Sequence, residues 1–302
     1  GGSEPGIANA DAALRRAPWF KGFNPCAEIL LGNKSFCNLV TVDLQKFIGR
    51  PSDELMRAVW FIARANYRQT CVELRDGILQ DSWHELNAFL RLCGVGLAGI
   101  VPAMTHWQKP EVAFQKLRAQ AKAGANSMAD ELKMPRAKAV TTVKPDGTLG
   151  KIMDTTEGVH KPLGKYIFNN VRFGEHDETV ALLERGGYRS FPDPYGNSSV
   201  LVCLPTRFDN IQFDFVDGVH CNLESAVAQL DRYKLLMDNY VDHNCSITVS
   251  YSPEEVDDMV QWVYDNWDSY VGVSFLPRVD PTVTAEELGY PYLPQEVVDE
   301  DT

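Results

Sequence analysis

Residues 245–276 read CSITVSY, SPEEVDDMVQWVYDNWDS and YVGVSFL, and this stretch decides the fold class. Its first and last segments are short runs rich in β-branched and aromatic residues, which predict strands at 245–251 and 270–276. The segment between them predicts a helix over 253–267. Two strands joined by a helix favour parallel pairing, because the helix returns the chain to the same end of the sheet. The stretch therefore indicates an α/β fold.

The same alternation extends back through the rest of the chain. Apolar and β-prone runs predict further strands at 36–42, 93–100, 136–143 and 199–204. Helical spacing of apolar residues predicts helices over 52–74, 82–90, 109–132, 177–185 and 223–241. Strands that alternate with helices predict a largely parallel sheet.

Composition narrows the function classes. The 302 residues carry 29 Lys and Arg against 41 Asp and Glu, a formal net charge of -12. An acidic chain is a poor coat for nucleic acid or for an anionic membrane surface, although helix N-termini and loop amides still bind small phosphates. No run of 18 apolar residues and no export leader appear, so we expect a cytoplasmic protein with no nucleic-acid or membrane partner.

Cysteine and histidine usage argues against structural metal or disulfides. The seven cysteines include no C-x-x-C pair, and the six histidines are scattered without a ligand spacing. This pattern predicts no protein-ligated metal, and any disulfide chemistry would be catalytic.

Three glycines, Gly94, Gly96 and Gly99, spell G-x-G-x-x-G. A dinucleotide site needs a strand before this motif and a helix after it. Here a helix-like stretch precedes it, and Pro102 follows where the helix should run. We expect a glycine-rich buried strand instead, and keep a nicotinamide-dependent dehydrogenase as an alternative.

The remaining candidate binding and catalytic residues lie in two predicted loops. The turn over Pro145, Asp146, Gly147, Thr148 and Leu149 lacks the order of a P-loop, but its amides and the preceding lysine suit a phosphate as well as an ordinary turn. Asn24-Pro25-Cys26-Ala27-Glu28 places a thiol, a carboxylate and an amide within five residues of a proline-containing loop. Glu28 can take a proton from a substrate hydroxyl, and Asn24 can orient that substrate.

With Phe36-Cys37-Asn38-Leu39, this second loop resembles the active-site finger loop of ribonucleotide reductase large subunits, most closely the adenosylcobalamin-dependent class II. Other segments agree in the family's order: Ser3-Glu4-Pro5-Gly6-Ile7, Gly94-Val95-Gly96-Leu97, Lys144-Pro145-Asp146-Gly147-Thr148, Glu157-Gly158-Val159-His160 and Gly272-Val273-Ser274-Phe275-Leu276-Pro277. The similarity covers residues 1–295. Each motif alone is weak, but the ordered set is specific.

The resemblance implies the second half of the ten-stranded α/β barrel of these enzymes. Five of the ten barrel strands would be supplied by the predicted strands at 37–42, 93–100, 137–143, 245–251 and 270–276. The strand at 199–204 would belong to an insertion or edge feature. The implied domains are a lead-in with the finger loop (1–36), the C-terminal half-barrel (37–295) and an acidic tail (296–302).

Site roles also follow from the resemblance. Cys26 corresponds to the thiyl radical that abstracts the ribose 3′-hydrogen, and Glu28 to the base on the 3′-hydroxyl. Asn24 corresponds to the residue that hydrogen-bonds the sugar hydroxyls, and Cys37 to one of the two reducing cysteines. The substrate phosphates are implied near 145–149.

The implied cofactor is adenosylcobalamin. Family members that import a radical from an iron subunit carry a Tyr-Tyr pair on the last strand, where this chain has Ser274-Phe275. Monomeric class II members use ribonucleoside triphosphates, which favours a triphosphate over a diphosphate here.

Two departures qualify the resemblance. The partner of Cys37 lies on the absent first half-barrel, and the C-terminal cysteine pair that relays electrons from thioredoxin is missing, because the last cysteine is Cys245. We therefore expect the N-terminal half as a separate chain, with a thioredoxin-like reductant acting indirectly. A catalytically inactive half-barrel is the second alternative.

Overall fold

The computed structural model describes residues 6–75, 77–196 and 198–302, so residues 3–5 of the predicted lead-in lie outside the described residues. The strands are β1 (Gly6–Ala8), β2 (Gly22–Phe23), β3 (Leu30–Leu31), β4 (Leu39–Asp43), β5 (Gly94–Ala98), β6 (Tyr166–Gly174), β7 (Ser190–Pro192), β8 (Ser199–Arg207), β9 (Asp214–Val216), β10 (Val219–Cys221), β11 (Thr248–Tyr251), β12 (Gly272–Pro277) and β13 (Gln295–Val297).

The helices are α1 (Ala10–Arg16), α2 (Ser52–Gln69), α3 (Asp81–Leu90), α4 (Ile100–His106), α5 (Pro110–Leu132), α6 (Gly147–Met153), α7 (Glu178–Arg185), α8 (Ala226–Asn239) and α9 (Val256–Asp265). Six of them, α2, α3, α5, α7, α8 and α9, lie at the predicted positions, whereas α1, α4 and α6 were not predicted. Helix α2 ends before the predicted residue 74, because the amide and hydroxyl of Thr70 both donate to the Tyr67 carbonyl and close the last turn.

The chain divides into two compact units. The first contains the residues up to His160 together with Glu224–Arg278. In it β4 pairs with β5 in parallel, β5 bridges in parallel to Thr141, Val143 bridges in parallel to Cys245, and β11 pairs in parallel with β12. We call these five neighbours the parallel array: β4, β5, 139–143, 245–251 and β12. The predicted parallel arrangement is confirmed. Four of the five predicted strands form, as β4, β5, β11 and β12, whereas the predicted strand at 136–143 contributes only the bridges at Thr141 and Val143.

Burial explains why these segments form the array. All five residues of β5 are buried, as expected for a parallel strand covered on both faces. Helix α2 turns Leu55, Val59 and Ala63 into the core, four residues apart on one face. It packs against α5 so closely that a Cβ on Gly124 would lie 2.4 Å from the Trp60 carbonyl oxygen, so only glycine fits there.

The glycine motif lies inside this array. Gly94 and Gly96 are strand residues, and a Cβ on Gly94 would lie 2.5 Å from the Leu39 side chain. The buried glycine-rich strand is therefore confirmed. One detail of the prediction is wrong: a helix, α4, does follow Gly99. Pro102 is compatible with it, because it lies in the first turn, where no intrahelical donor is required.

The second unit contains Lys161–Leu223 and Val279–Thr302. Its main feature is an antiparallel sheet in the order β13-β6-β8-β7. The predicted strand at 199–204 forms part of β8, outside the parallel array. Helix α7 stops at Gly186 and Gly187, the latter at φ 87°, as its sequence predicts.

The predicted acidic tail begins inside this second sheet. Glu296 and Val297 belong to β13, which pairs antiparallel with β6. The domain boundaries at residues 36 and 295 stay a prediction. Within the described ranges, none of the helices is long and apolar enough to cross a membrane.

Candidate active site

The finger loop, residues 24–29, joins two short antiparallel strands, β2 and β3. The loop turns tightly, because the Ala27 amide donates to the Asn24 carbonyl at 2.8 Å. Ala27 itself has φ 60°, in the left-handed region that a non-glycine residue rarely adopts. The turn leaves Cys26 exposed, while Asn24 and Glu28 on either side of it are buried.

Asn24 and Glu28 form a buried pair. The Asn24 Nδ2 donates to Glu28 Oε2 at 2.7 Å, and the Asn24 Oδ1 accepts the Ile29 amide at 2.9 Å. The amide is therefore fixed from both ends, and it orients the carboxylate. A buried carboxylate held in this way is suited to accept a proton from a nearby hydroxyl.

The two candidate thiols lie within electrostatic reach of this carboxylate. Partial burial raises the pKa of Cys26 above the ordinary thiol value, Glu28 raises it further, and Lys144 opposes both. Partial burial and Glu28 also raise the pKa of Cys37, with a smaller contribution from Cys26. Both groups are therefore protonated at neutral pH. A protonated thiol retains the S–H bond that hydrogen-atom transfer requires, whereas a polar nucleophile needs the thiolate.

Side chains distant in sequence hold the loop backbone. Ser246 Oγ donates to the Cys26 carbonyl at 2.7 Å, and Asn244 Nδ2 donates to the Ala27 carbonyl at 2.9 Å. The Glu28 carbonyl accepts from the Asn244 amide at 3.1 Å and from Thr142 Oγ1 at 2.8 Å. Three consecutive carbonyls are thus fixed by the ends of two strands of the parallel array.

His243 holds the strand that follows the loop. Its Nδ1 accepts the Leu30 amide at 3.3 Å, and its Nε2 lies 2.8 Å from the Cys93 carbonyl oxygen. A carbonyl only accepts, so Nε2 carries the proton and the ring is neutral. Burial lowers the pKa of His243 to about 4, which agrees with that tautomer.

A cavity of about 460 Å³ lies beside Cys26. Its lining brings together residues from four segments that the sequence singled out, among them Gly6, Cys26, Pro145 and Ser274. The remaining lining includes Phe23, Asn244, Ser246 and the backbone of β1 and β12. Its volume lies within the range of small-molecule sites. Asn24, Glu28 and Cys37 do not line it, since the first two face the interior of the loop.

The predicted phosphate turn is held by its own Asp146, by the preceding Lys144 and by Thr41 of β4. Lys144 Nζ donates to Thr41 Oγ1 at 2.8 Å and pairs with Asp146 Oδ1 at 3.0 Å. Thr41 in turn donates to the same carboxylate oxygen at 3.0 Å. Asp146 has φ 56° and precedes α6, so the left-handed residue is Asp146 and not Gly147. Thr148 and Leu149 are exposed on the first turn of that helix.

Sequence reasoning missed the residues that hold the finger loop from outside. Thr142, His243, Asn244 and Ser246 all flank or enter predicted buried strands. Polar residues at such positions need hydrogen-bond partners when they are buried, so the sequence could have indicated that these four residues bind another segment. The partner could not be read from the chain, because it lies more than a hundred positions away.

Comparisons with known proteins agree with this geometry. No family model matches the chain. The adenosylcobalamin-dependent ribonucleoside-triphosphate reductase of Lacticaseibacillus paracasei is 26% identical, over 99% of this chain and 43% of that protein. The enzyme of the same name from Lactobacillus leichmannii is 25% identical, over 84% of this chain and 39% of that protein.

Two solved structures share the fold. A B12-dependent class II ribonucleotide reductase superposes with a TM-score of 0.82 at 22% identity, over 99% of this chain and 45% of that one. The class Id ribonucleotide reductase alpha subunit of Actinobacillus ureae gives a TM-score of 0.61 at 12% identity, over 91% of this chain and 58% of that one.

These comparisons confirm the resemblance to ribonucleotide reductases and the predicted fold class. The chain has the fold of the matching part of a class II ribonucleotide reductase. It spans less than half the length of the two curated relatives described above.

Proposed function

We propose that this chain is the C-terminal catalytic half of an adenosylcobalamin-dependent ribonucleoside-triphosphate reductase, which reduces ribonucleotides to 2′-deoxyribonucleotides for DNA synthesis. The observation that carries the proposal is the finger loop itself. An exposed, protonated Cys26 stands between Asn24 and Glu28, whose side chains bond to each other at 2.7 Å. The names of the curated relatives support the activity, the cofactor and the triphosphate substrate.

In this proposal each group of the loop has one task. The Cys26 thiyl radical would remove the ribose 3′-hydrogen and so become a thiol. It would later return that hydrogen to the sugar, which regenerates the thiyl radical. Glu28 takes the proton of the 3′-hydroxyl, and Asn24 holds the sugar while keeping the carboxylate oriented. Cys37 supplies a proton as the 2′-hydroxyl leaves as water, and together with a second cysteine it supplies the two electrons of the reduction. Sulfur suits the radical role because it exchanges a hydrogen atom with a C–H bond, which a hydroxyl does not do at comparable energy.

The cavity beside Cys26 fits part of the proposed cofactor. Its volume of about 460 Å³ accommodates a nucleoside-sized group, and small residues such as Gly6, Gly272 and Ser274 leave that space open. The cofactor supplies the one-electron chemistry when bound, and the protein supplies position and shielding. Ser274 and Phe275 stand where a tyrosine pair would be needed to import a radical.

The substrate phosphates belong, in this proposal, at the turn formed by Pro145, Asp146, Gly147, Thr148 and Leu149. Of these residues, Pro145 lines the cavity beside Cys26, whereas the other four do not line it, so the phosphates would lie beside that cavity and not in it. Lys144 contributes a positive charge there, since it lowers the pKa of Cys26.

The proposal includes a partner chain. This chain covers 43% of the L. paracasei relative. In this proposal, a second polypeptide with the first half-barrel supplies the remaining strands and the cysteine opposite Cys37. A thioredoxin-like protein would deliver electrons through that partner. Seven free cysteines suit the cytoplasm, where we place the enzyme.

Both alternatives are less well supported. A dinucleotide would need open space at Gly94 and Gly96, but neighbouring side chains fill it. An inactive half-barrel would not need a buried Asn24–Glu28 pair beside an exposed thiol.

The test is reconstitution. The chain is mixed with an N-terminal half-barrel fragment, and molecular size and deoxynucleotide formation are followed together, with and without adenosylcobalamin. We expect activity only in the complex with the cofactor, and less than a few per cent of it with Cys26→Ser. Cys71→Ser is the matched control and should keep activity, since Cys71 packs at the end of α2. Turnover by this chain alone, or by the Cys26→Ser complex, contradicts the proposal.

A further inference from the structure

We propose that Asn244 is a positioning residue that joins the finger loop to β12 and so fixes the width of the cavity beside Cys26. The catalytic consequence rests on the proposed function, whereas the positioning itself does not. Asn244 is fully buried, and it lines the cavity together with Cys26.

The amide of Asn244 bridges the two walls of the cavity. Its Nδ2 donates to the Ala27 carbonyl of the finger loop at 2.9 Å and to the Gly272 carbonyl of β12 at 3.1 Å. Gly272 begins the strand that carries Ser274, which lines the opposite side of the cavity. One side chain therefore sets the separation between the loop that holds the thiol and the strand that faces it.

Tyr233 on α8 fixes the orientation of this amide. The Tyr233 hydroxyl accepts the Val271 amide at 3.0 Å and the Gly272 amide at 3.3 Å, and it lies 2.9 Å from Asn244 Oδ1. Burial raises the pKa of Tyr233 well above its ordinary value, so the hydroxyl keeps its proton. That proton has Asn244 Oδ1 as its acceptor, and the two protons of Nδ2 therefore face the carbonyls of Ala27 and Gly272.

The backbone of Asn244 strengthens the same link. Its amide donates to the Glu28 carbonyl, and its carbonyl accepts from Thr142 Oγ1 at 2.8 Å. The two contacts to residues 27 and 28 hold the turn at Ala27, whose left-handed backbone needs support from its surroundings. Asn244 is thus placed to control the position of Cys26 without touching a reacting atom.

The test measures the thiol directly. We compare the alkylation rate of Cys26 by iodoacetamide in the wild-type chain and in Asn244→Ala, with each cysteine followed by peptide mass spectrometry. Release of the loop takes Cys26 away from burial and from Glu28, both of which raise its pKa. Lys144, which lowers the pKa, makes a smaller contribution than either of these causes. Release of the loop also opens access to the thiol, so we expect at least about a threefold faster reaction.

Asn87→Ala is the matched control. Asn87 is also buried, and its Nδ2 donates to the Thr70 carbonyl at 2.8 Å, away from the finger loop. A merely structural role for Asn244 predicts that both variants lose stability and that neither changes the Cys26 rate. An unchanged Cys26 rate in folded Asn244→Ala overturns the proposal.

Tyr233→Phe provides a second route if Asn244→Ala does not fold. It removes the hydroxyl that orients the amide, so we expect a smaller acceleration at Cys26 and none at Cys71. No acceleration in Tyr233→Phe overturns the proposal in that case.

In the reconstituted complex, Asn244→Ala should lower kcat several-fold while KM stays within about twofold. If the wild-type complex makes no deoxynucleotide, the proposed function fails, while the alkylation result still decides the positioning role.

Discussion

The finger loop and the turn at 144–149 approach the same cavity, but they are held in opposite ways. The carbonyls of Cys26, Ala27 and Glu28 are bound by side chains from distant strands. The turn depends on Lys144 and Asp146, two residues apart, with Thr41 as their neighbour. The loop can therefore be disrupted by substituting residues far away in the sequence, whereas the turn is disrupted mainly by substituting Lys144 or Asp146.

The largest expected effect on stability lies within the turn. Lys144→Met leaves the fully buried Asp146 carboxylate without its cation, which costs about 3 kcal/mol of unfolding free energy, as for other broken buried pairs. Loss of Lys144 also raises the pKa of Cys26, so its alkylation slows. Chemical denaturation and alkylation rates check both effects.

Lys151→Met is the control for the turn. Lys151 pairs with Glu157 while about a third of each side chain is exposed, so its loss should cost under about 1 kcal/mol. Equal costs for the two lysines would contradict a turn held by the buried pair.

Acid should break the attachment of the finger loop. The folded-state pKa of His243 is about 4, below the ordinary 6.5, so between these values the unfolded chain binds more protons. Stability therefore falls as the pH drops from about 6.5 to about 4, by about 1.4 kcal/mol per pH unit. Asp242 opposes this effect by favouring the charged ring, while Arg16 adds to it.

Denaturation measured at several pH values checks the acid effect. His243→Gln should reduce the slope in this window, while His160, a second buried histidine whose pKa burial lowers, should keep part of it. An unchanged slope in His243→Gln would assign the acid sensitivity to other groups.

A smaller effect is expected from Thr142→Val, which removes the hydroxyl bound to the Glu28 and Asn244 carbonyls. The shape of the side chain is kept, and the Glu28 carbonyl retains the Asn244 amide, so we expect a loss of about 1 kcal/mol. Thermal unfolding gives the loss, and Thr105→Val, on a partly exposed helix end, is the comparison. No loss at Thr142 would mean that the loop is not held through this hydroxyl.

The smallest expected effect on the fold is at Gly147. A Cβ there would meet only Glu157, at 3.7 Å, and Gly147 lacks a positive φ, so the fold tolerates a side chain. Gly147→Val should therefore leave stability nearly unchanged and raise the apparent KM for the nucleotide more than it lowers kcat. An unchanged KM in the reconstituted complex would place the phosphates elsewhere.

The parallel array was predictable because its strands are short apolar runs separated by helices. The second unit was predicted only at α7 and β8. Its strand β6 carries Asn169 and Asn170 at its centre, which reads as a loop. Their side chains instead bond to the Leu204 and Leu293 carbonyls, partners that no local pattern reveals.

At the candidate site, the cluster of Asn24, Cys26 and Glu28 could be found because its members are neighbours in the chain. Their environment could not. The contributions of Asn244 and His243 depend on long-range hydrogen bonds. The sequence alone also did not show that Asp146 adopts a left-handed backbone conformation. Residue types indicate the chemistry, whereas the supporting contacts appear only in the folded chain.

The pairing of β1 with β12 has a consequence for the order of folding. Gly6–Ala8 hydrogen-bond to Gly272–Ser274, so adjacent parts of the cavity lining come from distant parts of the sequence. Contacts of such long sequence separation form late and slowly. During synthesis the ribosome must release residue 274 before the cavity can close. The finger loop therefore leaves the ribosome long before its surroundings exist, and Cys26 stays as reactive as an ordinary thiol until the last strand of the array is added.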